Sequence, residues 1–65
     1  MKILVNGVWR DTRATDVAAV LKELGYADAV VATAVNGEFM AASLRSGAWL
    51  ADGDRLEILA PMQGG

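Results

Sequence analysis

The first segment of the chain has a pattern that is typical of a β-hairpin. Residues 2–6 form an apolar run rich in branched side chains, which predicts a buried strand. The run stops at Asn6-Gly7, a pair favoured in type I′ turns because both central residues of that turn need positive φ. Residues 8–13 then predict the returning strand, antiparallel to the first.

The next segment has the period of an amphipathic helix. Its apolar residues recur at i, i+3, i+4 and i+7, which places them on one stripe. They are Val17, Val20, Leu21 and Leu24. Thr15 is the predicted N-cap, and Asp16 lies near the positive end of the helix dipole. Gly25 supplies the left-handed residue at which helices commonly end.

A second pair of strands is predicted after the helix. Residues 30–35 read as a strand that stops at another Asn-Gly pair, Asn36-Gly37, and residues 38–40 as a short returning strand. The last strand is predicted over residues 55–60, where apolar and polar positions alternate.

The segment between these strands, residues 41–51, has no clear period. We expect Trp49 and Leu50, which lie in it, to cover one end of the core. Trp9 and Trp49 are both predicted to pack in the core or at its rim rather than to form a binding platform.

Two hairpins that flank one helix favour an α+β fold. The helix must cross between the hairpins, so the first and last strands are expected to lie side by side and parallel. One helix packed across a mixed sheet of about five strands is the β-grasp, or ubiquitin-like, arrangement. The predicted core consists of Ile3, Val5, Val17, Leu21, Leu24, Val35, Leu56 and Ile58. Residues 1–60 form the predicted domain, and residues 61–65 a flexible tail.

Composition limits the chemistry that this chain can perform by itself. The 65 residues include no cysteine and no histidine, so no thiolate nucleophile, imidazole base or Ser-His pair can be built. A structural zinc site is not expected either. We therefore predict no catalytic residues, no metal site and no stably bound cofactor, and the chain is not expected to be an enzyme.

The charge of the chain limits the classes of partner that we expect, and the lack of a targeting signal indicates the compartment. The net charge is −2 and the six cations are scattered, which argues against a nucleic-acid or anionic-membrane partner. The apolar run near the first residue is too short for a signal peptide or a membrane span, so we expect a cytoplasmic protein. We expect the free protein to be a monomer.

The last five residues, Pro61-Met62-Gln63-Gly64-Gly65, are the candidate functional site. Two glycines at the final two positions arise by chance with a probability of about 0.5%. An end without side chains can enter a narrow channel, and its last group is a carboxylate. Attack of the Gly65 carboxylate on the α-phosphate of ATP would give a mixed anhydride, and a sulfur nucleophile could then displace AMP. Other proteins would have to supply every catalytic group.

Several segments resemble the ThiS family, the sulfur carriers of thiamin biosynthesis. They are Met1-Lys2-Ile3, Asn6-Gly7, Val35-Asn36-Gly37-Glu38-Phe39, Asp52-Gly53-Asp54-Arg55-Leu56-Glu57-Ile58 and Pro61-Met62-Gln63-Gly64-Gly65. The resemblance spans essentially the whole chain. Residues 40–45 differ from the family pattern, in which a basic or proline-containing stretch is frequent at this place.

The resemblance implies a β-grasp fold and a set of partner enzymes. An adenylating enzyme of the ThiF type would consume ATP to activate Gly65, with Gly64 giving clearance. A cysteine desulfurase or another persulfide donor would supply sulfur. The thiocarboxylate formed at Gly65 would then donate that sulfur to thiazole synthase, ThiG.

Residues near the tail are the candidates for partner binding. Leu59 is predicted to be exposed on the face opposite Leu56 and Ile58, where it could dock a partner. Met62 and Gln63 are expected to lie in the partner's channel, and Arg55 to add a polar contact.

Three other function classes remain open on the sequence alone. The first is a carrier for molybdopterin, cysteine or another product that depends on a thiocarboxylate. The second is a ubiquitin-like modifier, in which Gly65 would be joined to a lysine of another protein. The third is an interaction module whose end is chemically inert.

Overall fold

The structure is a computed structural model that describes residues 1–60. The predictions made for Met62, Gln63, Gly64 and Gly65 lie outside the described residues. The elements, in chain order, are β1 (Lys2–Val5), β2 (Val8–Asp11), α1 (Val17–Glu23), β3 (Ala32–Val35), β4 (Glu38–Met40), a 3₁₀ helix (Ala42–Leu44) and β5 (Arg55–Leu59).

The five strands form one mixed sheet in the order β2-β1-β5-β3-β4. β1 pairs with β5 in parallel, while the β1–β2, β3–β4 and β3–β5 pairs are antiparallel. The predicted parallel pairing of the first and last strands is therefore confirmed, as is the β-grasp arrangement. β5, the last strand in sequence, lies at the centre of the sheet and has a neighbour on each side.

The core lies between α1 and the face of the sheet that α1 covers, which we call the inner face. It consists of Ile3, Val5, Val17, Val20, Leu21, Leu56 and Ile58. Leu24 and Val35, which were predicted to be core residues, are only partly buried and pack against its rim. Val20 lies on the predicted helix stripe and is almost fully buried, although the predicted core omitted it.

The helix begins one residue later than predicted, because Asp16 and not Thr15 is its N-cap. Asp16 has extended backbone angles, and its Oδ1 accepts a hydrogen bond from the amide of Ala19 at 2.8 Å. Its Oδ2 accepts a second one from the amide of Gly47 at 3.0 Å. A carboxylate can serve two donors at once, which the single hydroxyl oxygen of Thr15 does less well.

Two of the predicted strands, 8–13 and 30–35, are each shortened by two residues at one end. β2 ends at Asp11, although the amide of Thr12 still donates to the carbonyl of Met1 at 2.8 Å. Thr12 is buried, and its hydroxyl donates to the carboxylate of Glu23 on the helix. β3 begins at Ala32, so Val30, which was predicted to start this strand, lies outside it and is exposed.

The segment that had no clear period is tied to the start of the helix. Asp16 and Trp49 form an isolated antiparallel bridge, in which the amide of Val17 donates to Ala48 and that of Leu50 to Thr15. Since side chains alternate along extended backbone, Ala48 and Leu50 pack against the core while Trp49 points away from it. Trp49 is 74% exposed, so the prediction that it covers the core is wrong.

The partly buried Arg45 fastens the same segment to β3. Its Nη2 donates to the carbonyl of Val31 at 2.6 Å and its Nε to the hydroxyl of Thr33 at 3.0 Å. That hydroxyl in turn donates to the carbonyl of Met40.

Across residues 1–60, no helix is long and apolar enough to cross a membrane.

Candidate functional site

The end of β5 carries the exposed leucine that the alternation predicted. Leu56 and Ile58 face the core, while Arg55, Glu57 and Leu59 point to the opposite, outer face of the sheet. Leu59 is 73% exposed. The predicted exposure of Leu59 is confirmed. Leu59 is the last residue of β5 and precedes Ala60, the last residue that the structure describes.

Arg55 does not lie beside Leu59. The two residues are four positions apart on one extended strand, a separation of roughly 13 Å at the usual rise of a β-strand. Arg55 is exposed at the far end of β5, so the structure does not bring these two predicted partner-binding residues together.

Leu59 forms one side of a shallow apolar groove on the outer face. Ala32 is its register partner on β3, and Ala34 pairs with Phe39 on β4. The two alanines form a low floor between the larger side chains of Leu59 and Phe39, and Phe39 is 76% exposed. We call this surface the Phe39–Leu59 groove.

Phe39 was not predicted as part of a site. The available signal was the alternation in residues 32–35, where Ala32 and Ala34 lie on one face and Thr33 and Val35 on the other. Two alanines in succession on an outer face leave room between their larger neighbours. To predict the groove, one would also need the order of the strands in the sheet. The sequence pattern left the places of β3 and β4 in that order open.

Two asparagine side chains hold the backbone of β5 at its opposite ends. At the end near Leu59, Asn6 Oδ1 accepts from the amide of Ile58 at 2.7 Å, and Asn6 Nδ2 donates to the carbonyl of Ile58 at 3.1 Å. At the other end, Asn36 Oδ1 accepts from the amide of Arg55 at 2.9 Å, and its Nδ2 donates to Asp54 Oδ1 at 3.1 Å. Both asparagines were predicted as turn residues only.

The groove is lined mainly by apolar side chains, with Asn6, Glu57 and Arg45 at its borders. This composition suits contact with another surface better than it suits chemistry. Within residues 1–60, no three acidic side chains come together in a way that could hold a metal ion. The described part of the site therefore offers a mainly apolar surface for contact with a partner.

The fold and this surface define a small β-grasp protein with one covered and one open face of its sheet. A family model described as the ThiS family matches residues 3–65, so the chain belongs to the ThiS family. The crystal structure of a thiamine biosynthesis protein (ThiS) from Geobacter metallireducens is similar over 100% of both chains, with 30% sequence identity and a TM-score of 0.83. A comparison with curated proteins found no match.

Proposed function

We propose that this chain is a sulfur carrier of thiamin biosynthesis and that its working group is the Gly65 carboxylate. The observation that carries the proposal is the family match, which extends through Gly64 and Gly65. The crystal structure that resembles it over its full length is that of a thiamine biosynthesis protein. A sequence without cysteine or histidine fits a substrate of other enzymes better than a catalyst.

The chemistry follows from the weakness of a carboxylate as an acyl donor. An oxygen of Gly65 attacks the α-phosphorus of ATP, pyrophosphate leaves, and an acyl adenylate forms. The terminal sulfur of a persulfide then attacks the carbonyl carbon, and AMP leaves. A thiol cleaves the resulting acyl disulfide and releases the thiocarboxylate, which donates its sulfur to thiazole synthase.

Partner enzymes supply the catalytic groups in every one of these steps. A ThiF-type enzyme binds ATP and adenylates Gly65, a cysteine desulfurase or related donor brings the persulfide, and ThiG accepts the sulfur. The chain itself keeps no cofactor. We propose that these reactions take place in the cytoplasm.

The Phe39–Leu59 groove is the surface by which we propose that the adenylating enzyme recognises the carrier. It is exposed and apolar, and it lies on the strand that leads into the tail. Gly64 and the side chains of Met62 and Gln63 would enter the partner's channel. Arg55 would make a polar contact outside the groove, since it lies at the other end of β5.

Mass spectrometry tests the proposal directly. The chain is incubated with a ThiF-type enzyme, ATP, a cysteine desulfurase, cysteine and a thiol reductant. We expect the mass increase of one oxygen replaced by sulfur, located at Gly65 by fragmentation. A matched variant with one alanine added after Gly65 should gain nothing, because its carboxylate is displaced and no longer follows two glycines.

The other function classes give different products in the same experiment. A covalent conjugate to a lysine of another protein would indicate a modifier. Sulfur loading followed by transfer to a molybdopterin or cysteine system, with no transfer to thiazole synthase, would keep the chemistry and move the pathway. An unmodified chain under all conditions would overturn the proposal.

A further inference from the structure

The parallel pairing of β1 with β5 continues past the point where β1 ends. The amide of Leu4 donates to the carbonyl of Asp54, just before β5, at 2.9 Å. The amide of Asn6, just after β1, donates to the carbonyl of Leu56 at 3.0 Å. In a regular parallel ladder, the next two bonds would come from a backbone carbonyl and a backbone amide of β1. The chain cannot supply them, because Asn6 has a φ of 48° and begins the turn.

The side chain of Asn6 supplies both missing groups. Its Oδ1 replaces the carbonyl and accepts from the amide of Ile58, and its Nδ2 replaces the amide and donates to the carbonyl of Ile58. A carboxamide has the same donor and acceptor as a peptide group, so it extends the ladder by one peptide unit. The pairing thus reaches Ile58, one residue before Leu59.

β3 does not offer Ile58 a second set of partners. The amide of Asn36 donates to Arg55, which marks these two residues as a hydrogen-bonded pair of the antiparallel β3–β5 ladder. Such pairs alternate, so the Thr33–Ile58 pair is one whose backbone groups point away from each other. Both backbone groups of the nearly buried Ile58 therefore depend on Asn6.

We propose that Asn6 is a positioning residue for the tail. Its carboxamide holds the backbone of Ile58, close to the end of β5 from which the tail leaves. The inference rests on the function proposed above. Seven residues follow Ile58, and they can span at most roughly 25 Å when extended. If Ile58 is held in place, Gly65 has fewer accessible positions after the groove has bound the adenylating enzyme. The carboxylate then meets ATP in a larger fraction of the complexes.

Asn36 provides a control at the opposite end of β5, where its carboxamide also accepts from a backbone amide but donates to the Asp54 side chain. Both asparagines have positive φ, 48° for Asn6 and 51° for Asn36, and each is followed by glycine. Asn6→Gly and Asn36→Gly keep a residue that tolerates this φ and remove only the carboxamide. A purely structural role predicts the same result for both variants.

The experiment measures steady-state adenylation of each variant by ATP–pyrophosphate exchange with a ThiF-type enzyme. We expect Asn6→Gly to lower kcat by about 10-fold or more, with KM changed by less than about 3-fold, because Phe39 and Leu59 remain for docking while the reacting geometry is lost. Asn36→Gly should leave both constants within about 2-fold of the original chain. Equal kinetic losses in the two variants would overturn the proposal.

Amide hydrogen exchange of the isolated chains gives a second readout that needs no partner. Asn6→Gly should speed exchange at Ile58, Leu59 and Ala60, whereas Asn36→Gly should not. If the original chain is not adenylated at all, the proposed function fails, and unchanged exchange at these three amides refutes the role of Asn6 separately. If Asn6→Gly does not fold, Asn6→Asp and Asn36→Asp, which keep the acceptor and lose the donor, enter the same comparison.

Discussion

Leu56 and Leu59 lie three residues apart on β5, and replacing each by alanine should separate folding from recognition. Leu56 is 0% exposed and contacts the core between sheet and helix, so its truncation leaves a cavity. Such a change costs about 2–5 kcal/mol. A domain of this size has a net stability of roughly 3–5 kcal/mol, so Leu56→Ala should leave much of the chain unfolded.

Leu59→Ala should leave the fold almost unchanged. Leu59 is 73% exposed, so roughly a quarter of its side chain is removed from water. Since full burial of a leucine contributes about 1.5–3 kcal/mol, its truncation should cost roughly 0.5 kcal/mol. Urea denaturation followed by far-UV circular dichroism measures both variants on one scale. A loss for Leu59→Ala that equals that of Leu56→Ala would refute the assignment of the two faces.

The same Leu59→Ala variant tests the Phe39–Leu59 groove. If the adenylating enzyme buries Leu59, KM should rise about 5- to 10-fold while kcat changes little, because about 1 kcal/mol of binding is lost. Leu44→Ala is the matched control, since Leu44 is also exposed but lies on the 3₁₀ helix and does not line the groove. Equal KM values for Leu59→Ala and Leu44→Ala would show that the groove is not the docking surface.

Two further predictions concern the segment that sequence patterns left unassigned. Two backbone hydrogen bonds lower the pKa of the Asp16 carboxyl below its ordinary value of 3.8. The larger effect comes from the amide of Gly47 and the smaller one from the amide of Ala19. The stability that this provides is complete above that value and is lost as pH falls through the lower, folded pKa. Thermal unfolding in acid should therefore be steeper with pH for the original chain than for Asp16→Asn, and parallel profiles would contradict the role of the carboxylate. Arg45→Ala removes charge-assisted hydrogen bonds, including the one to Val31, and should cost about 1.5–3 kcal/mol in urea denaturation; a loss below about 0.5 kcal/mol would contradict it.

The fold could be predicted from the sequence because its strongest signals are local. Asn6-Gly7 and Asn36-Gly37 each bring two neighbouring strands together, and the helix stripe selects the face that is covered. With two hairpins and one crossing helix, few arrangements of the last strand bury Leu56 and Ile58. The exposure of Leu59 follows from the same period of two.

The features that could not be predicted from the sequence depend on contacts between residues that are far apart in the chain. Thr15 and Asp16 are both acceptable N-caps, and the choice is decided by the amide of Gly47, 31 positions from Asp16. The outward position of Trp49 follows from its bridge to Asp16. Phe39 became part of the groove only through the order of the strands. No local pattern carries these contacts.

The central position of β5 gives the proposed reactive end a firm point of attachment. An edge strand such as β2 or β4 is paired on one side, so a tail attached there would start from backbone that frays easily. β5 is held by β1 and β3, its inner side chains form the core, and its outer side chains border the groove. Under the proposed function, folding, docking and presentation of the end all depend on this one strand. It follows that the side chain of Asn6, which bonds the tail end of β5, can tune presentation of the proposed reactive end without changing the buried core.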